Sequence, residues 1–146
     1  MQPKTTPLWL IQPDKPPLLQ VIAGGVILPD QQVAIARSFP NASHGTFLSF
    51  PSFQTLQAKR GRKIIFADSS LNGYEINTFQ LVRKKDVTGI SGTGIVAVGC
   101  YFKSFGGLAV MQWLTEFTST AWYIGGLEQI EFIHGHKGNT QIILDV

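Results

Sequence analysis

Residues 95–115 read IVAVGCYFKSFGGLAVMQWLT, and this stretch decides the fold class. Two apolar runs of strand length, at 95–102 and 108–115, flank a Phe-Gly-Gly turn at 105–107. Short apolar runs that are bounded by glycine are typical of buried β-strands, so the stretch predicts an antiparallel hairpin. The same reasoning predicts further strands at residues 79–82, 120–123 and 140–144.

One helical pattern interrupts the strands of the second half. Leu127, Ile130 and Ile133 recur at a spacing of three residues, which predicts a short amphipathic helix at 127–134. Gly135 follows the last residue of this apolar stripe. We expect it to end the helix in a left-handed conformation.

The first half repeats this order of elements at an offset of 77 residues. Its apolar residues Phe50, Phe53 and Leu56 fall on the helical stripe of the second half and predict a helix at 50–58. The same offset aligns a turn, a glycine after the helix and a final strand. The coincidence of these four features predicts a tandem duplication.

The predicted fold class is therefore α+β and strand-dominated, with two small units at residues 1–77 and 78–146. Each unit contains one short helix. A unit of this size buries too little apolar surface to be stable alone, so we expect the two to pack as one domain around a shared core. A cleft between the units, or between subunits, is then the natural place for a ligand.

Composition excludes several classes of protein. Of the 146 residues, 44% are apolar and 14% charged, which excludes an intrinsically disordered chain. Fifteen glycines and eight prolines argue against a helical bundle, and a single cysteine excludes a disulfide framework. We expect Cys100 to be a reduced, buried thiol in a strand.

The bulk properties also bear on compartment and assembly. No apolar run is long enough for a membrane-spanning helix or a signal peptide, so no membrane partner is predicted. The expected location is the cytoplasm, or the cytoplasm of a host cell. The low charge, together with 11% aromatic residues, predicts that part of the surface is covered by another copy of the chain. A homo-oligomer is therefore expected.

Positive charge is concentrated in two places. The formal net charge is +3, and four of the twelve cationic residues lie at 59–63, with a second cluster at 83–85. Such clusters attract phosphate groups, although each cluster alone is more typical of a solvated turn.

His134-Gly135-His136 is the most distinctive motif. It fits an acid/base or metal-binding pair, but also histidines that interact with the end of a helix. No second cluster of histidine or cysteine completes a metal site, so neither a metal nor another cofactor is predicted. The glycine-rich loop at 89–94 lacks the lysine of a P-loop, yet its amides could form a nest for an anion or simply connect two strands.

These features combine into one candidate ligand site and no catalytic residue. The second unit contributes Ser91, Thr93, His134, His136 and Lys137. The first unit contributes Arg60 and Arg62, because Arg60 is equivalent to Lys137 at the offset of 77.

Three segments of the second half resemble a family of small, functionally uncharacterised proteins from bacteria and their phages. They are residues 87–97 (VTGISGTGIVA), the segment 112–120 with its QWLTE and Ser-Thr, and 133–140 (IHGHKGNT). The resemblance covers about residues 79–146 and implies a phage or mobile-element setting, without implying a mechanism. This chain departs from the family at Gln112, where the family has arginine. The first unit has also lost two family positions, at which it has Lys59 and Ala36.

The leading hypothesis is a non-enzymatic protein that binds a small anionic ligand, a nucleotide signal of host immunity. One alternative is a nucleic-acid-binding module that uses the basic turns and strand aromatics. The other is a small enzyme with a histidine as general base. A steep salt dependence on long oligonucleotides distinguishes the first alternative, and turnover distinguishes the second.

Overall fold

The computed structural model describes residues 4–12, 21–37, 46–58, 63–66, 70–71, 73–84, 93–114 and 118–144. Within these ranges the chain forms twelve β-strands and two short α-helices. The strand-dominated character predicted from the sequence is confirmed. No helix of this described part is long and apolar enough to cross a membrane.

The first sheet has five antiparallel strands in the order β4-β3-β2-β1-β5. A short helix, α1, lies in the chain between its last two strands. The elements are β1 (Thr6–Ile11), β2 (Val21–Ile27), β3 (Val33–Arg37), β4 (Thr46–Phe50), α1 (Phe53–Gln57) and β5 (Lys63–Ile65).

The second sheet repeats that arrangement, with five antiparallel strands in the order β11-β10-β9-β8-β12. A two-stranded hairpin, β6 (Ser70–Leu71) and β7 (Tyr74–Glu75), connects the sheets. The remaining elements are β8 (Asn77–Arg83), β9 (Gly94–Phe102), β10 (Leu108–Trp113), β11 (Thr120–Tyr123), α2 (Gly126–His134) and β12 (Thr140–Leu144).

The two sheets also share an irregularity. The register between the first two strands of the first sheet shifts between Leu10 and Ile11. In the second sheet it shifts between Leu81 and Val82, at the same place in the corresponding pair of strands. A bulge changes the local twist of a sheet and usually has a structural purpose, so its recurrence makes the likeness more specific than strand order alone.

The two halves also share a glycine in the second strand of each sheet and a buried apolar residue in each helix. Gly25 and Gly99 lie in the centre of the second strand of each sheet, where a Cβ atom would collide with a neighbouring strand. Leu56 is the buried residue of α1, and its counterpart under α2 is Ile130. The predicted offset of 77 would instead pair Leu56 with Ile133, which is exposed. The offset between corresponding residues therefore varies along the chain, and the two halves do not align at the single offset of 77 residues.

The sheets pack face to face, with a helix against the outer face of each. The inner faces share one apolar core, to which the first sheet contributes Trp9 and Val26, and the second Phe102 and Val110. The outer faces form separate clusters under α1 and α2. Cys100 is fully buried in β9 and belongs to the shared core, as expected.

Both predicted helices are confirmed, and the prediction for Gly135 is wrong. The first helix is shorter than predicted, because Ser52 is its N-cap and accepts a hydrogen bond from the Thr55 amide at 3.3 Å. Gly135 has a right-handed backbone, with φ −67°, and its amide continues the helical pattern to the Glu131 carbonyl. The chain takes the left-handed conformation two residues later, at Lys137.

Candidate functional site

Three of the predicted site residues lie at one end of the second sheet. Arg83 marks this end, because it is the last residue of β8 and pairs with both Gly94 and Thr140, the first residues of β9 and β12. Thr93 directly precedes β9 and is exposed, His134 ends α2, and Lys137 lies in the turn that leads to β12. The structure thus brings Thr93, His134 and Lys137 to what we call the Arg83 end.

The other predicted site residues are not described by the structure. Arg60, Arg62, Ser91 and the side chain of His136 lie outside the described residues. The described residue after the two arginines, Lys63, begins β5 at the edge of the first sheet. Their place beside the second-half residues therefore stays a prediction.

A buried guanidinium occupies the centre of the Arg83 end. Arg83 is only 2% exposed, and its Nε donates a hydrogen bond to Oγ1 of Thr140 at 3.2 Å. Its Cζ lies 5.8 Å from the centroid of the Trp113 ring. The hydrogen bond and the negative face of the indole both stabilise the positive charge away from water.

The imidazole of His134 packs beside the same tryptophan. Its ring centroid lies 5.0 Å from that of Trp113, edge-on at 77°. Its Nε2 lies 3.0 Å from the hydroxyl of Tyr123. Burial raises the pKa of Tyr123, so the phenol stays protonated at neutral pH. A phenol that donates to Nε2 leaves the hydrogen of a neutral imidazole on Nδ1.

A pocket of about 420 Å³ opens beside this cluster, between the end of α2 and β12. Lys137 and Gly138 line it from the turn, Thr140 and Gln141 from β12, and Glu131 from the helix. Its volume falls within the range of small-molecule sites, roughly 300–1,000 Å³. Thr140 joins the pocket to the Arg83 cluster, because it lines the pocket and also accepts the hydrogen bond from Arg83.

The turn that carries Lys137 has an uncommon backbone. Lys137 has φ +58°, and the following Gly138 has φ +90°. Two hydrogen bonds hold the turn, from the amides of Gly138 and Thr140 to the carbonyl of Gly135. A left-handed conformation costs a residue with a Cβ atom about 1–2 kcal/mol. Strain of this kind is concentrated at functional sites, which makes Lys137 the first candidate for contact with a ligand.

No group of three or more His, Cys, Asp or Glu residues that could hold a metal ion is found among the residues that the structure describes. The arrangement at the Arg83 end is instead suited to anions and hydrogen bonds. It combines a buried guanidinium, an exposed ammonium, an imidazole and a threonine hydroxyl.

Sequence reasoning missed Arg83, Trp113, Tyr123 and Thr140 as members of this site. A signal for Arg83 was present, because residues 79, 81 and 83 alternate along β8 and all three are buried. The predicted strand ended at residue 82 and left Arg83 in a basic turn. Trp113 and Tyr123 gave no such signal, because these residues and His134, which both rings contact, come from separate elements of the chain.

Residues 76–145 match the model of a family described as Acb5 phage protein. The matched segment contains the second sheet and every described residue of the Arg83 end. This half of the chain is thus similar to a phage protein family, which supports the phage association expected from its motifs. No curated protein and no solved structure gives a significant match.

Proposed function

We propose that the protein binds a small anionic ligand, nucleotide-like in its chemistry, at the Arg83 end without converting it. The observation that supports this most directly is the pocket of about 420 Å³, with Lys137 and Thr140 on its wall and Arg83 behind Thr140. A phosphate at the turn would receive a charge-assisted hydrogen bond from the Lys137 ammonium. The buried charge of Arg83 would add to the attraction, because screening is weak away from water.

Glu131 favours a nucleotide over a bare phosphate. Glu131 lines the same pocket as Lys137, and its negative charge would repel a second negative group of a ligand there. A nucleotide has both an anionic part and neutral hydrogen-bond donors on its base and sugar. Such a ligand can direct its phosphate to Lys137 and a donor group to Glu131.

The remaining predicted residues complete this proposal. Thr93 and His134 lie at the Arg83 end, and Ser91 and His136 are close to them in sequence. Arg60 and Arg62 would contribute from the first unit or from a second copy of the chain. We also propose that the units at 1–77 and 78–146 arose by tandem duplication, which the shared strand order and the recurring bulge support.

In a phage setting, binding without turnover would suit sequestration. A phage protein that holds a nucleotide signal of host immunity in the host cytoplasm would keep it from its receptor. The family match supports the setting. The pocket and its charges support the class of ligand.

Native mass spectrometry of the purified chain, followed by calorimetry against linear and cyclic nucleotides, tests the proposal. Lys137→Ala should weaken the best ligand by about tenfold or more, because a hydrogen bond to a charged group contributes about 1.5–3 kcal/mol. Lys103→Ala is the matched control. It removes an exposed ammonium from the opposite end of the second sheet, where the side chain pairs with Glu75 at 3.1 Å. If no nucleotide binds, or if both variants bind alike, the proposal is wrong.

A second candidate function is an enzyme in which His134 acts as a general base. The observation that favours it is the 3.0 Å contact between the Tyr123 hydroxyl and His134 Nε2, which can orient the imidazole. Incubation of the bound nucleotide with the protein distinguishes the two functions. A product that disappears in His134→Gln would replace sequestration with catalysis.

A further inference from the structure

Another pocket, of about 150 Å³, opens on the outer face of the first sheet, beside α1. Leu10, Ile35 and Leu56, which belong to the apolar cluster under this helix, form part of its wall. Arg37 lines the pocket as well, because alternate residues of β3 face the same side of the sheet and Arg37 follows Ile35 by two positions. Every other described residue of the wall is apolar. We call this cavity the Arg37 pocket.

The register of the two sheets places Arg37 and Trp113 in corresponding positions. Each lies two residues beyond the strand partner of a central glycine, Gly25 in the first sheet and Gly99 in the second. In the second half the indole of Trp113 packs on the outer face against His134, with ring centroids 5.0 Å apart. An aromatic ring thus holds, in one half, the place that corresponds to the Arg37 pocket in the other.

The two helices also differ at this place. α2 continues for four residues beyond its buried Ile130, and the fourth of them is His134. α1 ends at Gln57, directly after its buried Leu56. The helix on the first sheet therefore covers less of the outer face. The Arg37 pocket coincides with two differences between the halves, an arginine in place of the indole and a shorter helix.

The wall of the pocket indicates the class of ligand. Its apolar side chains offer no hydrogen bonds to the polar edge of a nucleobase, whereas they suit a hydrocarbon ring. The volume fits a single ring, because an apolar cavity of about 150 Å³ can bind benzene. Arg37 contributes a positive charge, and no acidic residue of the described chain lines the pocket. A carboxylate matches the planar guanidinium, which can donate to both of its oxygens.

We propose that the Arg37 pocket binds a small aromatic carboxylate, with the ring among the apolar side chains and the carboxylate at Arg37. The ligand would supply to the first half the ring that Trp113 supplies to the second. This site is separate from the pocket at the Arg83 end, because the two share no described wall residue and lie beside different helices. The proposal therefore does not rest on the proposed function.

Benzoate is the probe, and methyl groups of the full chain report where it binds. In methyl NMR spectra, benzoate should shift the signals of Ile35 and Leu48 in a saturable way and leave that of Ile142, which lines the pocket at the Arg83 end. A nucleotide should do the reverse, so the failure of one proposal is distinguishable from the failure of the other. If benzoate causes no saturable shift at Ile35 and Leu48, the pocket does not bind aromatic carboxylates and the proposal is wrong.

The role of the charge is tested by one substitution and a neutral probe. Benzamide has the shape of benzoate without its charge and should bind the wild type about fivefold more weakly or less tightly still, because it lacks the charge-assisted pair. Arg37→Gln should remove this preference for benzoate. Lys63→Gln is the matched control, because it removes an exposed ammonium from the same sheet at a residue outside the pocket wall. Equal affinity of the two variants for benzoate would overturn the proposal.

A second variant tests the shape of the pocket. Arg37→Trp gives the first half the residue of the second and should exclude both probes, whereas Arg37→Gln should still bind benzamide. The methyl spectra without probe confirm that each variant folds. Benzamide binding that Arg37→Trp leaves unchanged would show that the ring lies elsewhere and would overturn the proposal.

The same spectra detect a different occupant, a second copy of the chain. Phe132 is 91% exposed on α2 and could enter an apolar pocket of another copy. In that case the signals of Ile35 and Leu48 should shift when the protein alone is concentrated, and Phe132→Ala should abolish the shift. This result would replace the aromatic carboxylate with a protein contact. We expect no such dependence on protein concentration.

Discussion

The two sheets have the same strand order, the same bulge and the same central glycine, yet among the residues that the structure describes only the second has a polar cluster on its outer face. Tyr123 is the last residue of β11, and Phe50 holds that place in β4. Trp113 ends β10, whereas Arg37 ends β3. The position of Arg83, two residues beyond Leu81 and the bulge, corresponds to Gln12.

This comparison separates residues that maintain the sandwich from residues that serve a site. The central glycine is common to both halves, as Gly25 in β2 and Gly99 in β9 show. Positions at the end of the sheet differ in charge and hydrogen-bonding capacity. The first half thus completes the fold, and the second also carries the candidate chemistry.

The largest expected effect compares the two central glycines. In Gly99→Ala the new Cβ atom would overlap the carbonyl oxygen of Val110, which belongs to the backbone and cannot turn away. In Gly25→Ala it would first meet the tips of Ile35 and Leu8, at 2.5 and 2.8 Å. We expect a loss of about 3 kcal/mol for Gly99→Ala and about 1 kcal/mol for Gly25→Ala. Urea denaturation measures both, and equal losses would contradict the difference between the sheets.

A smaller effect concerns Tyr123, which has no hydroxyl counterpart in the first half. Tyr123→Phe removes the hydrogen bond to His134 and should lower the free energy of unfolding by about 1 kcal/mol at neutral pH.

The pH dependence of the same variant gives a sharper test. Burial raises the pKa of Tyr123, so above a pH of about 10 the phenol ionises in the unfolded chain before the folded one. Stability should therefore fall in this range, and this part of the fall should be missing in Tyr123→Phe. Tyr101→Phe is the control, because it removes a hydroxyl from the same sheet. If the stability of Tyr123→Phe falls with rising pH as much as that of the wild type, ionisation of Tyr123 does not cause this part of the fall.

The smallest expected effect compares two residues with a left-handed backbone. Gln31 has φ +78° in the β2–β3 hairpin of the first half, and Lys137 has φ +58° in the second. Glycine at either position should raise stability by about 0.5 kcal/mol, because the strain that it relieves exceeds the conformational entropy that it adds to the unfolded chain. Lys137→Gly should also weaken nucleotide binding, whereas Gln31→Gly should not. Thermal unfolding measures the change in stability of both variants, and calorimetry measures their nucleotide binding. If both variants bind the nucleotide with equal affinity, Lys137 is not part of the site.

Local patterns were sufficient to predict most of the second half. The strand predicted at 95–102 is β9, and the helix predicted at 127–134 is α2 with one more residue at its start. The glycines that bound these elements and the spacing of their apolar residues indicate each element from a short local stretch of sequence. The first helix was predicted three residues too early, although the capping capacity of Ser52 was visible in the sequence.

The candidate site was predicted less completely, because its members meet only through the register of the sheet. Lys137 and His134 were identified from a local motif. Arg83 joins them because β8 pairs with both β9 and β12, and the sequence alone does not give that pairing. Tyr123 reaches His134 across the interface between β11 and α2, which local spacing could not reveal.

The shared inner core has a consequence for the segment that matches the phage family. Residues 76–145 include the second sheet, but the inner face of that sheet, with Phe102, Leu108 and Val110, is buried against the first. Trp122 reaches across and donates to the hydroxyl of Ser49 at 3.3 Å. The matched half is therefore not autonomous: in isolation it would need a companion sheet of complementary shape. The first half supplies that companion sheet, and we expect the two halves to be separable only as fragments that reassociate.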